Sequence, residues 1–460
     1  MTDFQKLAEI FSPAASFVPV KTAFPDFVPR SDRKTKKDLP EALRRVWDLA
    51  LFEIESNIRP CPYGGEYFTA GGRGGWHNML FGQDTTGTAL LALNRLYPEV
   101  MKNHIRSYAL ARLNIGFLCP KDWVLEGCEK SLKLSQEVWV PASREFCERY
   151  HLSPCLNRTG MDAGWIWAAG DLFDRSGDEM DWAWLYGMGD LFFREFYRPF
   201  YDETDGLYFG QASFIDVGCN GYPLSFGEMH TQKSRNAAVF IKAASTNALY
   251  VRSMDVMAHA ADFLGLGAES RRWQARADAL REAIKKNLCF PDGTFAYFKH
   301  RDGHLEEKRE ALGAAFCILA DVVRGEEAVR ALAADQLPRK KEGVALFYPF
   351  YEDNPKIYHN RSAWPFASTF YHLAREKATG ESGIPEDARQ LAASITVPEK
   401  LRGNDVGNVE DYRTGTFKEY IRWEDGAPAG TCAQSWTVSA FLNLALRAGF
   451  LEDTPEKSRF

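Results

Sequence analysis

Apolar residues recur along most of this chain at three- and four-residue spacing, with charged residues between them. That is the pattern of helices that bury one face. The spacing predicts helices over 40–57, 84–96, 100–116, 135–150, 160–176, 180–200, 243–265, 267–287, 307–322, 325–335, 361–379, 385–395 and 433–448. In 267–287 the periodic set is Trp273, Ala277, Leu280 and Ile284, with Arg, Glu and Lys between them. In 433–448, Trp436, Ala440 and Leu444 mark one face, and Gly449 stands where the helix should stop. Strand patterns are few and short, as in GLYFG and FAYFKH.

Pro13, Pro19, Pro25, Pro29 and Pro40 interrupt the first forty residues, which also hold the charged run SDRKTKKD. This reads as an extended N-terminal arm, 1–40, leading into one domain, 41–460, with no linker inside it. A series of helices joined by long Gly- and aromatic-rich loops suggests an all-α fold of six helical hairpins closed into a ring, an (α/α)6 barrel. A helical solenoid is the alternative, but it would carry a fixed short sequence period, and none is present.

Composition narrows the partners. The chain has 460 residues and a formal net charge of -6, so nucleic acid and anionic membrane are poor candidates. Nine Cys occur, an odd number, without a CxxC pair, which favours free thiols and a reducing, cytoplasmic setting. The N-terminus, MTDFQKLAEIFSP, has no basic stretch followed by a long apolar run, so neither a signal peptide nor a membrane span is expected. The 12 Trp have two uses, core packing or rings that stack on sugar faces.

No GxSxG, HExxH or GxxxxGK[ST] motif is present. Acidic residues in Gly-rich loops at helix ends, flanked by aromatics, stand out instead. Glycoside hydrolysis needs such pairs, one carboxylic acid to protonate the leaving oxygen and one carboxylate opposite it. Asp84 follows a run holding seven Gly and Trp76, more than a helix cap requires. Asp162 stands near a helix start, where capping alone would account for it. Asp216 follows Phe214-Ile215 and enters a loop with Gly218, Gly221, Tyr222 and Pro223, where it has no capping duty. His359, Asn360 and Arg361 precede Trp364-Pro365, with Pro at a first helical turn. Glu419 lies in a strand-like piece between Phe417 and Tyr420, whereas Glu424 and Asp425 fit a solvated turn before Gly426.

These segments, in this order, resemble the glucosidase domain of glycogen debranching enzymes. More widely they are similar to the six-hairpin glycosidases, processing α-glucosidase I included. The likeness runs over about 60–448: Gln83-Asp84; Met161-Asp162-Ala163-Gly164-Trp165; Ser213-Phe214-Ile215-Asp216 after Asp205-Gly206-Leu207; Asn247-Ala248-Leu249; His359 to Trp364-Pro365; Lys418-Glu419-Tyr420, then Ala433-Gln434-Ser435-Trp436-Thr437. Gln83 and Arg361 depart from the Arg and Gly of the family pattern.

The resemblance implies an inverting, exo-acting α-glycosidase, α-glucosidase-like, with no metal and no cofactor. Asp216 would be the general acid and Glu419 the general base, their carboxyl groups roughly 6.5–9.5 Å apart. Trp76 and Asp84 would hold the terminal sugar of a carbohydrate substrate, and His359 and Trp364 would shape the pocket. Asp162, Tyr222, Arg361 and Trp436 complete the expected substrate-binding set. A sugar isomerase or epimerase on the same barrel would work through His, and a carbohydrate-binding protein would keep the aromatics without needing the acids.

Overall fold

The computed structural model describes residues 2–18, 27–31, 33–60, 64–71, 82–117, 163–210, 241–341, 343–352, 358–381, 384, 387–396, 415–453 and 458–460. The first helix, α1 (Asp3–Ala15), occupies what the prolines suggested was an extended arm. A capping box between Thr2 and Gln5 starts it, and Pro13 falls in its last turn, two residues before the helix ends. Leu7 and Phe11 are fully buried, and α1 packs on the helices α2 (Glu41–Ser56) and α12 (Asp387–Ala393).

The remaining helices, in chain order, are α3 (Gly82–Thr88), α4 (Pro98–Phe117), α5 (Gly164–Ser176), α6 (Glu179–Phe192), α7 (Ala244–Phe263), α8 (Gly267–Leu288), α9 (Ala311–Leu319), α10 (Gly325–Ala334), α11 (Pro365–Thr379) and α13 (Ser435–Arg447). A π-helical turn, Ala89–Leu93, and a further turn, Asn94–Leu96, extend α3. Among the described residues, α3, α5, α7, α9, α11 and α13 each pack on the next, and α13 closes back on α3. The even-numbered helices α2 to α12 lie outside them: α4 on α5, α6 and α8 on α7, α10 on α11, α12 between α11 and α13, and α2 on α13. This is the six-hairpin (α/α)6 ring.

Burial separates the two layers. An inner helix touches protein all round and has no polar face to show. Gly164–Phe173 in α5 and Ser435–Leu446 in α13 are continuously buried, so the single-face reading of 433–448 saw only part of a wholly enclosed helix. The outer α8 buries Trp273, Ala277, Leu280, Arg281, Ile284 and Leu288, which contain the periodic set of its sequence, and Gly449 ends α13 in a left-handed conformation. Two helices start later than their sequence suggested. Ser362–Ala363 and Arg309–Glu310 are spent on strand pairing before α11 and α9 begin.

Inner helices begin near one another. Ala311 N–H bonds to the Leu346 carbonyl, and Leu346 N–H to that of Ser362, linking the starts of α9 and α11. Asn57 Nδ2 donates to the Ala433 carbonyl and to Ser435 Oγ, and Ser435 N–H reaches the Ala70 carbonyl, which fixes the start of α13. The strand Thr416–Arg422 crosses this end, paired antiparallel with Ser362–Ala363, Ile395–Thr396 and Pro428–Cys432. Among the described residues no helix is long and apolar enough to cross a membrane.

His104 of α4 joins α3 to the strand Glu66–Phe68. Phe68 N–H donates to Nδ1 at 3.1 Å, so Nε2 carries the hydrogen and donates to Thr85 Oγ1 at 2.8 Å. Burial pushes the His104 imidazole down to about 3, well below its ordinary value of 6.5. The unfolded chain therefore takes up this proton first. The contribution is complete above about 6.5 and is lost as pH falls toward about 3. Urea midpoints should drop over that interval, and drop less in His104→Gln, whose amide offers the same acceptor and donor. An equal drop in the two proteins would refute the assignment.

Candidate active site

Glu419 sits mid-strand in Thr416–Arg422 and is only 2% exposed. Its placement begins one element away, where Glu53 of α2 accepts the Phe417 N–H at 3.1 Å and anchors the start of the strand. The opposite strand, Pro428–Cys432, is out of simple register between Lys418 and Tyr420, an irregularity that re-aims side chains. There Gly430 has φ +82°, and a Cβ on it would come within 2.4 Å of Glu419 Oε2. The carboxylate can lie against this backbone because position 430 has no side chain.

Both oxygens of Glu419 accept hydrogen bonds. Tyr358 OH donates to Oε1 at 2.9 Å, and Thr431 N–H donates to Oε2 at 3.0 Å. The Thr431 hydroxyl turns to Gln434 Oε1 at 2.8 Å, and Gln434 Nε2 reaches Asp84 Oδ1 at 3.5 Å. A polar chain thus runs Tyr358, Glu419, Thr431, Gln434, Asp84. It joins two acids that are 335 positions apart in sequence. Asp84 is the third residue of α3 and is 4% exposed, placed inside the first turn rather than at its cap. Gln434 is held by an antiparallel bridge to Gly71, where the backbone approaches so closely that a Cβ would meet the Ala433 carbonyl at 2.7 Å. Ala433 itself has φ +49°, a strained conformation for alanine, two residues before the helix start.

Aromatic rings wall this chain on one side. Trp364 stacks on Tyr420 and meets Trp436 edge-on, Trp436 stacks on Phe366, and His359 lies between Tyr358 and Trp364. Trp364 and Trp436 are buried among these rings, so they fix the wall's shape from behind. Burial first, and the Glu419 charge second, push the Tyr420 hydroxyl up to about 12. It stays neutral beside the carboxylate. Arg361 goes elsewhere: its φ is +54°, its guanidinium meets Glu424 at 3.4 Å, and it lies over the Phe350 ring. Glu424 and Asp425 form the exposed turn their sequence suggested.

The structure therefore brings Asp84, His359, Trp364, Glu419 and Trp436 together and puts Arg361 to one side. Trp76, Asp162, Asp216 and Tyr222 lie outside the described residues. Sequence reasoning missed Tyr358, Thr431 and Gln434 as partners. Tyr358 and Gln434 were adjacent to residues already singled out, but nothing local signals that they meet Glu419. Another acid, Glu310, lies beside Ser245 and Gly313, between α7 and α9, where burial pushes its carboxyl well above the usual range.

The ring is that of a six-hairpin barrel, and the comparisons with known proteins agree on that fold. Residues 225–437, a stretch that includes Glu419, match the family model of the mannosylglycerate hydrolase MGH1-like glycoside hydrolase domain. A glycosidase structure is similar over 89% of this chain and 98% of its own, at 15% identity and a TM-score of 0.54. A glycosidase variant solved in complex with glucose is similar over the same shares, at 14% identity and a TM-score of 0.52. A sialidase is similar over 98% of this chain at 13% identity and a TM-score of 0.58, and this chain spans 38% of its length. At these identities the structures establish the fold. No curated protein sequence matches the chain.

Gly430→Ala should displace the Glu419 carboxylate, because its Cβ would overlap Oε2. Forcing a methyl into a close-packed place costs roughly 1–3 kcal/mol. Hydrolysis should fall by at least about ten-fold, the equivalent of about 1.4 kcal/mol in the barrier. Circular dichroism should still report a folded chain. Full activity in this variant would show that the carboxylate does not depend on this gap.

Proposed function

We propose that this protein is an inverting, exo-acting α-glycosidase with Glu419 as general base and Asp216 as general acid. One observation carries the role of Glu419. Its two oxygens face donors, a phenol O–H and a backbone N–H, and bonds of that kind favour the ionised carboxylate. An ionised carboxylate can take a proton from water, while a general acid has to give one up. Asp84, tied to the same chain through Gln434, would hold hydroxyls of the terminal sugar. Asp216 is assigned from its motif alone. It follows the hairpin of Tyr201–Asp202 and Leu207–Tyr208, whose turn contains Asp205-Gly206.

For the substrate, the α-glucosidase-like expectation and the MGH1-like match point together to small α-glycosides. Mannosylglycerate belongs beside α-linked glucose disaccharides in the first panel assayed. The reaction is a single displacement. Glu419 takes a proton from water as that water attacks the anomeric carbon, and Asp216 protonates the departing oxygen. A cytoplasmic location is part of this proposal.

Two measurements test it. Proton NMR of the first sugar released from an α-linked substrate, taken before mutarotation, should show the β-anomer. Initial release of the α-anomer would overturn the role of Glu419 as a base acting through water. Glu419→Gln keeps shape and removes the base, so turnover should fall by roughly 10²–10⁴ with the fold retained. Turnover within a few-fold of the parent would move the base to another residue. Epimerisation without a gain of water would replace hydrolysis by the isomerase reading.

A further inference from the structure

Lys418 precedes Glu419 on the same strand and is 9% exposed. Burying an ammonium is costly unless it is well paired. Among the described residues, its side-chain hydrogen bond goes to a sulfur: Nζ donates to Cys432 Sγ at 3.5 Å. Cys432 is 3% exposed and in no disulfide. The contact follows from strand register, since Lys418 and Cys432 stand directly opposite one another in the antiparallel pair, where side chains are neighbours. A thiol is a weak acceptor for a buried ammonium, so hydrogen bonding alone is a poor reason for this pairing.

We propose that Lys418 and Cys432 form an oxidative cross-linking site, joined by a single oxygen atom between nitrogen and sulfur. The oxidant is dioxygen. With Lys418 as the neutral amine, one N–H and the S–H bond break, and an N–O and an O–S bond form. Nitrogen and sulfur each give up two electrons, which reduce dioxygen by four. One oxygen atom becomes the bridge, and the other leaves as water with the two hydrogens. Where the amine begins as ammonium, its extra proton goes to solvent. Packing keeps the partners in contact, so the reaction is intramolecular and needs little further ordering. Cys432 is followed by the strained Ala433 and preceded by Thr431, which holds the Glu419 carboxylate. The bridge would therefore brace the strand pair on which Glu419 is mounted.

The test is peptide mass spectrometry of the full chain after incubation in oxygenated buffer, alongside a sample kept anaerobic with reductant. The oxygenated sample should yield a linked pair of peptides, one with Lys418 and one with Cys432, heavier by one oxygen and lighter by two hydrogens. Dithiothreitol should separate them. Lys418→Met and Cys432→Ala should each abolish the linked species. Complete alkylation of Cys432 in the denatured, oxygenated parent, with no linked pair, would overturn the proposal, as would the same mass change in Cys432→Ala. The readout is independent of glycoside turnover, so it stands or falls apart from the catalytic assignment.

Discussion

The strand Thr416–Arg422 is the constraint on which the candidate site depends. It lies across the starts of the inner helices and pairs with three other segments at once. Its backbone is thereby satisfied on both edges, which a buried strand requires. Its start is pinned by Glu53 from the outer helix α2, and the Glu419 carbonyl accepts from Thr437 Oγ1 in the inner helix α13. A side chain on such a strand inherits the rigidity of the ring. In the proposed role of a base acting on water, a carboxylate would benefit from that, because a small misplacement of a reacting group is expensive in rate.

Closure of the ring explains the rest of the arrangement. Inner helices packed on two inner neighbours and an outer layer are buried nearly all round, and small residues appear where their backbones approach. Gly164 of α5 lies so close to Thr86 of α3 that a Cβ would meet its hydroxyl at 2.3 Å. Gly170 and Gly189 leave similar room for Val256 and Met257 of α7. Close packing on the sides leaves the helix starts and their loops as the places where polar chemistry can collect.

Much of this was readable from the chain, for physical reasons that differ by element. Outer helices such as α8 show one apolar stripe in three- and four-residue steps, so their existence and limits were plain. The enclosed α13 reads the same way over Trp436, Ala440 and Leu444, but the polar Ser435, Thr437, Ser439 and Asn443 between them are also buried. Three of them bond inside the ring: Ser435 Oγ to the Thr69 carbonyl, Thr437 Oγ1 to that of Glu419 and Asn443 Nδ2 to that of Leu91. Proline in 1–40 misled because Pro13 stands close to where α1 ends, while the buried Leu7 and Phe11 anchor that helix. In the site, Asp84 and Glu419 were singled out by their Gly-rich or aromatic neighbours, and one polar chain joins them. The partners Tyr358, Thr431 and Gln434 were not, since a hydrogen bond across hundreds of positions leaves no local period.

Chemistry can separate the two carboxylate roles before any assay, through what each acid's surroundings offer. A group that must deliver a proton needs a setting that favours its neutral form, either apolar burial or a nearby like charge. Glu310 has such a setting, deep between α7 and α9, but it adjoins Ser245 and Gly313 rather than the Glu419 chain. Glu419 is as deeply buried, yet two donors point at its oxygens, and the same degree of burial then serves the opposite protonation state. Burial alone therefore assigns nothing. The direction of the surrounding hydrogen bonds adds to it, and at Glu419 that direction suits the base of the proposed mechanism. Gln434 extends the logic to Asp84, because its amide has one donor end and one acceptor end. With its oxygen taken by Thr431, only the N–H end remains to face Asp84, so Asp84 is presented with a donor. In the proposed mechanism the proton donor must then come from another loop, and the Asp216 segment is where the sequence motif puts an acid.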